Sequence, residues 1–260
     1  VAYAEAGDVD DPDLICLHGL NAAGSSGEFR EIVDALAETY HVIVPDLPGF
    51  GRSDRPDIRY SATFYEDFIA DFLAEFDEPG VVASSLSAAY VARAADEFGV
   101  DVSALFLICP TAVAGPEPQK AWLRELLRSP VLGAALFNAL VSKPSIRYFN
   151  ADHAYADPAA VSEAWTDYQW RSTHQPNARH AVASFVAGHC NSTLELGPTL
   201  LAIDAPVTIA WGRDATLPPL ARGREIADEA DARLVVFDRA KLLPHVEYPD
   251  AFVEAVQEAI

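Results

Sequence analysis

The stretch Val81-Val82-Ala83-Ser84-Ser85-Leu86-Ser87-Ala88-Ala89 decides how this chain is read. It opens as a short apolar strand and closes as an alanine-rich run that starts a helix. Between them lies a small-x-Ser-x-small turn, Ala83 to Ser87. A sharp strand-to-helix turn of this kind is a nucleophile elbow, which holds a serine hydroxyl clear of a sheet. Small residues flank the serine because the backbone is crowded there, and here Ala83 and Ser87 stand where glycine is usual. Ser85 is therefore the candidate nucleophile. Read two residues further on, the pattern also fits Ser87, which would leave a longer strand end.

Outward from the elbow, strand-like runs alternate with helical spacing. Leu14 to Leu17 and His41 to Val44 are short buried strands, and Ala104 to Cys109, Val207 to Trp211 and Arg233 to Phe237 are three more. Phe29 to Glu38, Phe64 to Phe76, Ala88 to Phe98, Leu220 to Asp231 and Asp250 to Ile260 carry helical periodicity. Such alternation predicts an α/β fold, a mostly parallel sheet with helices on both faces. The alternation breaks once. Between Pro110 and Pro206 no strand is evident, and the stretch is aromatic-rich and helical in pattern. It is expected to be a helical cap insertion, residues 111–205, in a core made of residues 1–110 and 206–260.

Bulk properties exclude several function classes. The 260 residues carry 39 acids against 18 lysines and arginines, a net charge of −21. An acidic surface that is poor in lysine (Lys120, Lys143 and Lys241 alone) stays hydrated when salt screens charge. It reads as the signature of a high-salt cytoplasm, with a melting temperature expected to rise in multimolar salt. Nucleic acid and anionic membranes are poor partners for such a surface. No run approaches the roughly 18 apolar residues of a membrane span. Cys16, Cys109 and Cys190 show no C-x-x-C spacing and read as buried thiols in a reducing compartment. The first residue is Val1, not methionine, which reads as a trimmed or processed N-terminus.

Together these residues resemble the α/β-hydrolase superfamily, over nearly the whole chain. Four motifs carry the resemblance in order: Leu17-His18-Gly19 after a strand, Asp46-Leu47-Pro48-Gly49-Phe50-Gly51-Arg52-Ser53-Asp54, the elbow at Ser85, and Trp211-Gly212-Arg213-Asp214. Val1 to Gly7 looks like the second strand of such folds. The resemblance implies acyl transfer, in which Ser85 attacks a carbonyl, a histidine takes its proton and an acid orients that histidine. It also implies an oxyanion hole made by the backbone N–H groups of Leu20 and Leu86. No cofactor or metal is called for. Gly49-Phe50-Gly51 lacks the third glycine of a dinucleotide fingerprint, and Asp46 and Asp54 are expected to hold that loop.

The resemblance also shows where this chain departs. The family's acid commonly lies three residues beyond the glycine, which here is Ala215, while Asp214 lies two beyond. Asp214 is the candidate acid through a shortened loop, or else a surface aspartate. In Lys241-Leu242-Leu243-Pro244-His245-Val246-Glu247-Tyr248-Pro249, the catalytic histidine position holds Leu242. His245 matches the second, supporting histidine. It is the candidate base, or else a structural residue pairing with Glu247 or the backbone. Three outcomes follow. The first is a hydrolase of a small apolar ester, lactone or related carbonyl substrate through Ser85, Asp214 and His245. The second is a family member that binds a small apolar ligand or a protein partner without catalysis. The third is cofactor-free proton transfer or decarboxylation in the same pocket. An elbow serine in place of aspartate argues against a dehalogenase or epoxide hydrolase.

Overall fold

The computed structural model describes residues 1–260. Seven strands form one sheet: β1 (Tyr3–Ala6), β2 (Asp13–Leu17), β3 (His41–Pro45), β4 (Gly80–Ser84), β5 (Ala104–Ile108), β6 (Val207–Gly212) and β7 (Arg233–Phe237). Their order is β1-β3-β2-β4-β5-β6-β7. Only the edge pair β1–β3 is antiparallel; all other neighbours run parallel. The predicted strands are found within a residue or two of their expected ends.

Along the central strands, successive residues serve opposite faces, and both faces are buried. Ile15, Leu17, Val81, Ala83, Leu105, Leu107 and Ile209 join one core. That core includes Leu86 to Ala94 of α3 (Leu86–Asp96), and also residues of α2 (Ala62–Leu73) and α10 (Leu220–Ala230). Leu14, Cys16, Val82, Phe106, Ile108 and Ala210 join the other core with Phe29, Ile32, Phe252 and Val256. Helix α12 (Pro249–Gln257) supplies the last two. Burial on both sides is why these strands read as continuous apolar runs and not as alternating ones.

The expected helix over 29–38 is broken. Ser26–Phe29 form a 3-10 turn, and only α1 (Val33–Leu36) is α-helical. Gly27 weakens helix there and the β-branched pair Ile32-Val33 resists it. Burial of Phe29, Ile32 and Leu36 supplies the three- and four-residue spacing without a continuous helix.

Between β5 and β6 there is no strand. Six helices fill the interval: α4 (Ala121–Arg128), α5 (Leu132–Leu140), α6 (Lys143–Phe149), α7 (Glu163–Thr173), α8 (Arg179–Val186) and α9 (Leu196–Ala202). The last of these returns to the sheet and packs against α3 and α10. Of the others, α7 and α8 meet loops at the carboxyl ends of the strands. A Cβ on Gly49 would lie 2.6 Å from the Ala181 Cβ of α8, and one on Gly27 would lie 3.0 Å from the Trp165 ring of α7. Arg30 stacks over Trp165, 3.9 Å from the ring centroid. No helix is long and apolar enough to cross a membrane.

The chain passes from β2 to β3 on one side and then to β4 on the other. In open parallel sheets, such a reversal opens a crevice at the carboxyl ends of the two strands. Those ends are His18-Gly19-Leu20 and Ser85.

Candidate active site

Ser85 sits between β4 and α3 with φ 56° and ψ −123°. A serine held at positive φ costs on the order of 1–3 kcal/mol, so its surroundings must impose the shape. They do so through the backbone: Ser85 N–H donates to Ile108 O (2.9 Å), and Ser85 O accepts from Thr111 N–H (3.3 Å). Ser87, the alternative nucleophile, is fully buried in the first turn of α3 and donates its hydroxyl to His18 O at 2.7 Å. The sharp turn thus presents Ser85 and commits Ser87 to the backbone of the neighbouring strand end.

That strand end is pinned at almost every polar group. His18 is buried, and its Nε2 accepts from Leu47 N–H (3.0 Å). Nε2 acting as acceptor leaves the proton on Nδ1, which donates to Gly19 O (2.9 Å). Burial pushes His18 below its ordinary value and keeps the ring neutral. Gly19 N–H donates to Glu28 Oε2 (3.1 Å). A Cβ on Gly19 would crowd the elbow, lying 3.2 Å from both Ser84 Oγ and Ser85 Cβ. With three neighbouring groups engaged, the N–H of Leu20 is left without a partner. Leu86 N–H, at the first position of α3, has no intrahelical acceptor either. Two backbone donors are therefore free, one just after Gly19 and one just after Ser85.

The opposite wall differs. Gly212, at the end of β6, lies against the segment after β7, where a Cβ would meet Lys241 O at 2.0 Å. Asp214 N–H donates to Ala240 O (2.9 Å), tying the two turns together. Beside these two turns, Ala215 is buried in the core and Leu242 packs against that core. Neither Asp214 nor His245 is hydrogen-bonded to Ser85. Asp214 is solvent-exposed. His245, in α11 (Pro244–Glu247), is fully buried in the other core. It stacks on Phe29 (centroids 5.4 Å) and contacts Phe252 (5.4 Å). Neither ring nitrogen has a hydrogen-bond partner. Burial, with Arg30 nearby, pushes His245 down to about 3. Glu247 does not pair with it; its carboxylate accepts from Lys241 N–H (3.0 Å) and Ala156 N–H (2.7 Å).

Sequence reading missed Glu28. It is buried, it accepts from Gly19, and its free Oε1 lies 3.7 Å from His245 Nε2. Its only sequence signal is an acid directly before Phe29, inside a run whose apolar spacing marks it as buried. Asp46 holds the loop as expected: it accepts from Ser26 N–H (2.6 Å) and Arg52 N–H (2.8 Å). A Cβ on Gly51 (φ +52°) would strike its carboxylate at 2.0 Å. A cleft of about 600 Å³ lined by Val113, Glu117, Asn191 and Thr193 does not include Ser85. A narrow crevice between Ala22, Gly24, Phe50 and Val182 adjoins the Gly19–Leu20 segment. No three His, Cys, Asp or Glu side chains converge as metal ligands. The three cysteines are free and buried.

A strand-to-helix serine turn at the reversal point of a parallel sheet, with a glycine strand end beside it, is the arrangement of one class of proteins. The chain belongs to the α/β hydrolase family, whose model matches residues 14–255. It is 26% identical over 252 residues to a 2-hydroxy-6-oxo-6-phenylhexa-2,4-dienoate hydrolase of Burkholderia cepacia, covering 92% of this chain and 84% of that protein. It is also 26% identical over 271 residues to a pimeloyl-[acyl-carrier protein] methyl ester esterase of Aeromonas hydrophila, covering 96% and 95%. Among solved structures, an α/β hydrolase fold protein from Burkholderia ambifaria superposes with a TM-score of 0.76 at 26% identity, covering 98% of this chain and 93% of that one. The 2-hydroxy-6-oxo-6-phenylhexa-2,4-dienoate hydrolase of Rhodococcus sp. strain RHA1 shares the fold, with a TM-score of 0.80 at 20% identity and coverage of 98% and 92%.

Proposed function

We propose that this protein binds a small apolar carbonyl compound at Ser85, beneath a cap made by the 111–205 insertion, and lacks the proton relay of a working serine hydrolase. One observation carries the reading. Two unpartnered backbone N–H groups, of Leu20 and Leu86, flank a strained serine that bonds to neither an imidazole nor an acid. Backbone donors suit a carbonyl oxygen whatever their side chains are. Neither Ala215 nor Leu242 can accept a proton. Without a triad base, such a site keeps roughly 10³–10⁴-fold catalysis over water, too little to sustain an esterase. The carbonyl class is supported by the relatives, named for an oxo-dienoate and for a methyl ester.

The second reading is an ester or lactone hydrolase with Ser85 as nucleophile and Asp214 and His245 as partners. The retained positive φ of Ser85 favours it, because that strain has a ready purpose in attack on a carbonyl. It requires His245 to leave its packing on Phe29 and Phe252 and turn towards Ser85.

The test measures binding of a methyl ketone (4-phenyl-2-butanone) by calorimetry, and turnover of p-nitrophenyl butyrate, both in high-salt buffer. The expected result is saturable ketone binding that survives Ser85→Ala and is lost in Gly19→Ala, with ester turnover that Ser85→Ala leaves unchanged. Rapid turnover abolished by both Ser85→Ala and His245→Ala would establish the second reading instead.

A further inference from the structure

We propose that Glu28 is the positioning residue of the carbonyl site: its carboxylate fixes the Gly19–Leu20 segment, and uptake of a proton by Glu28 loosens it. The inference rests on the carbonyl-binding reading of Ser85, Leu20 and Leu86. It starts from how the segment is held. The two peptide units around Gly19 present four polar groups. His18 C=O is taken by the Ser87 hydroxyl, Gly19 C=O by His18 Nδ1, and Gly19 N–H by Glu28, which leaves Leu20 N–H free for a ligand. A peptide is planar and trans, so pinning Gly19 C=O on one side directs Leu20 N–H to the other. Of the three clamps, Glu28 alone becomes charged within the physiological range.

Its surroundings make that charge conditional. Glu28 is buried and has no ion-pair partner of its own. Arg30, on the same turn, is committed to Glu31 (3.0 Å), to the Trp165 ring and to Tyr155. The other titratable groups facing Glu28 are His245 from α11, Tyr155 from the insertion and the Cys109 thiol at the end of β5. Burial keeps the thiol protonated and the imidazole neutral. Burial also pushes the Glu28 carboxyl up to about 7, opposed by the Ser84 hydroxyl, the Gly19 N–H and Arg30.

Two states follow. As a carboxylate, Glu28 takes a charge-assisted hydrogen bond from Gly19, roughly twice as strong as a neutral one. As an acid, it carries its proton on the otherwise unpartnered Oε1, facing His245 Nε2 at 3.7 Å. A small rotation brings that O–H into hydrogen-bonding range of the neutral ring and draws Oε2 from Gly19. Only a proton from solvent is gained, and no bond other than hydrogen bonds changes.

The experiment follows the Gly19 and Leu20 amides by ¹⁵N–¹H NMR from pH 5.5 to 8.5, in wild type and Glu28→Gln, with ketone affinity measured at both ends. Glutamine still accepts from Gly19 N–H but does not titrate. Wild type is expected to show both amides shifting with a midpoint near 7, and about fivefold weaker ketone binding at the acid end. Glu28→Gln, neutral at every pH, is expected to fold, to bind ketone at both ends with the weaker affinity that wild type shows at the acid end, and to show no titration of either amide. A flat Gly19 amide in wild type, a titration that persists in Glu28→Gln, or titration with constant ketone affinity would each overturn the proposal. Absence of ketone binding at every pH would overturn the carbonyl reading instead, and the Leu20 amide would then decide whether Glu28 sets the segment.

Discussion

The two walls of the crevice have been treated differently. On the β2–β4 side Ser87, His18 and Glu28 clamp the Gly19 peptides, leaving the Leu20 and Leu86 N–H groups free, and the elbow holds φ 56°. On the β6–β7 side the scaffold is equally well built, with Asp214 N–H tied to Ala240 O and Gly212 against Lys241. Its two chemical positions are nonetheless apolar. Binding an oxygen needs donors fixed in place, and backbone provides them. Moving a proton needs titratable side chains, and in the proposed reading Ala215 and Leu242 supply none. If the proposed reading holds, the difference teaches that one half of a catalytic site can persist without the other, because the two halves rest on different strands.

The largest effect should come from repairing the second wall. Ala215→Asp with Leu242→His is expected to raise p-nitrophenyl butyrate turnover by about 10²–10⁴-fold, in a manner abolished by Ser85→Ala. No gain in a folded double variant would break the comparison, since the scaffold on that side would then not be competent.

The buried pair behind the first wall predicts a pH effect. His245 lies below its unfolded value, so the unfolded chain gains a proton that the folded one does not, and stability falls as pH drops from 6.5 towards 3. Glu28 lies above its unfolded value, so its contribution is fully present below 4.5 and is lost as pH rises through about 7. Between 4.5 and 6.5 the two slopes oppose each other. In urea titrations Glu28→Gln should therefore gain about 1.4 kcal/mol per pH unit relative to wild type as pH rises across that window. Parallel profiles for the two proteins would contradict the assignment.

Ser87→Ala removes one clamp and leaves His18 C=O buried without its donor. A loss of about 1–2 kcal/mol is expected in the same titrations. A neutral outcome would mean the hydroxyl is not holding the strand end. The smallest effect is a gain. Ser85→Gly relieves the positive-φ strain and should raise stability by about 1 kcal/mol, or roughly 2–4 °C in melting temperature. A loss there would mean the elbow is not strained.

The fold was legible in the sequence because both sheet faces are buried. Continuous apolar runs such as Val81 to Ala83 and Ala104 to Cys109 mark parallel strands without help from context. The elbow turn was legible too, since Ser85 lies directly between the end of β4 and the start of α3. What pairs across strands was not legible. Nothing local says that Ser87 reaches His18 or that Glu28 reaches Gly19, which are separated by 69 and 9 residues. His245 looked available because its neighbours Pro244 and Glu247 mark a loop. Only the packing of Phe29 and Phe252 around it, from distant elements, places it in a core.

The central claim is that Ser85 is presented but not activated. Labelling by a fluorophosphonate probe measures this most directly, comparing wild type, Ser85→Ala and the Ala215→Asp/Leu242→His variant in high-salt buffer. The account predicts that wild type labels no faster than Ser85→Ala, while the double variant labels at Ser85. Wild-type labelling at Ser85 as fast as in the double variant would contradict it.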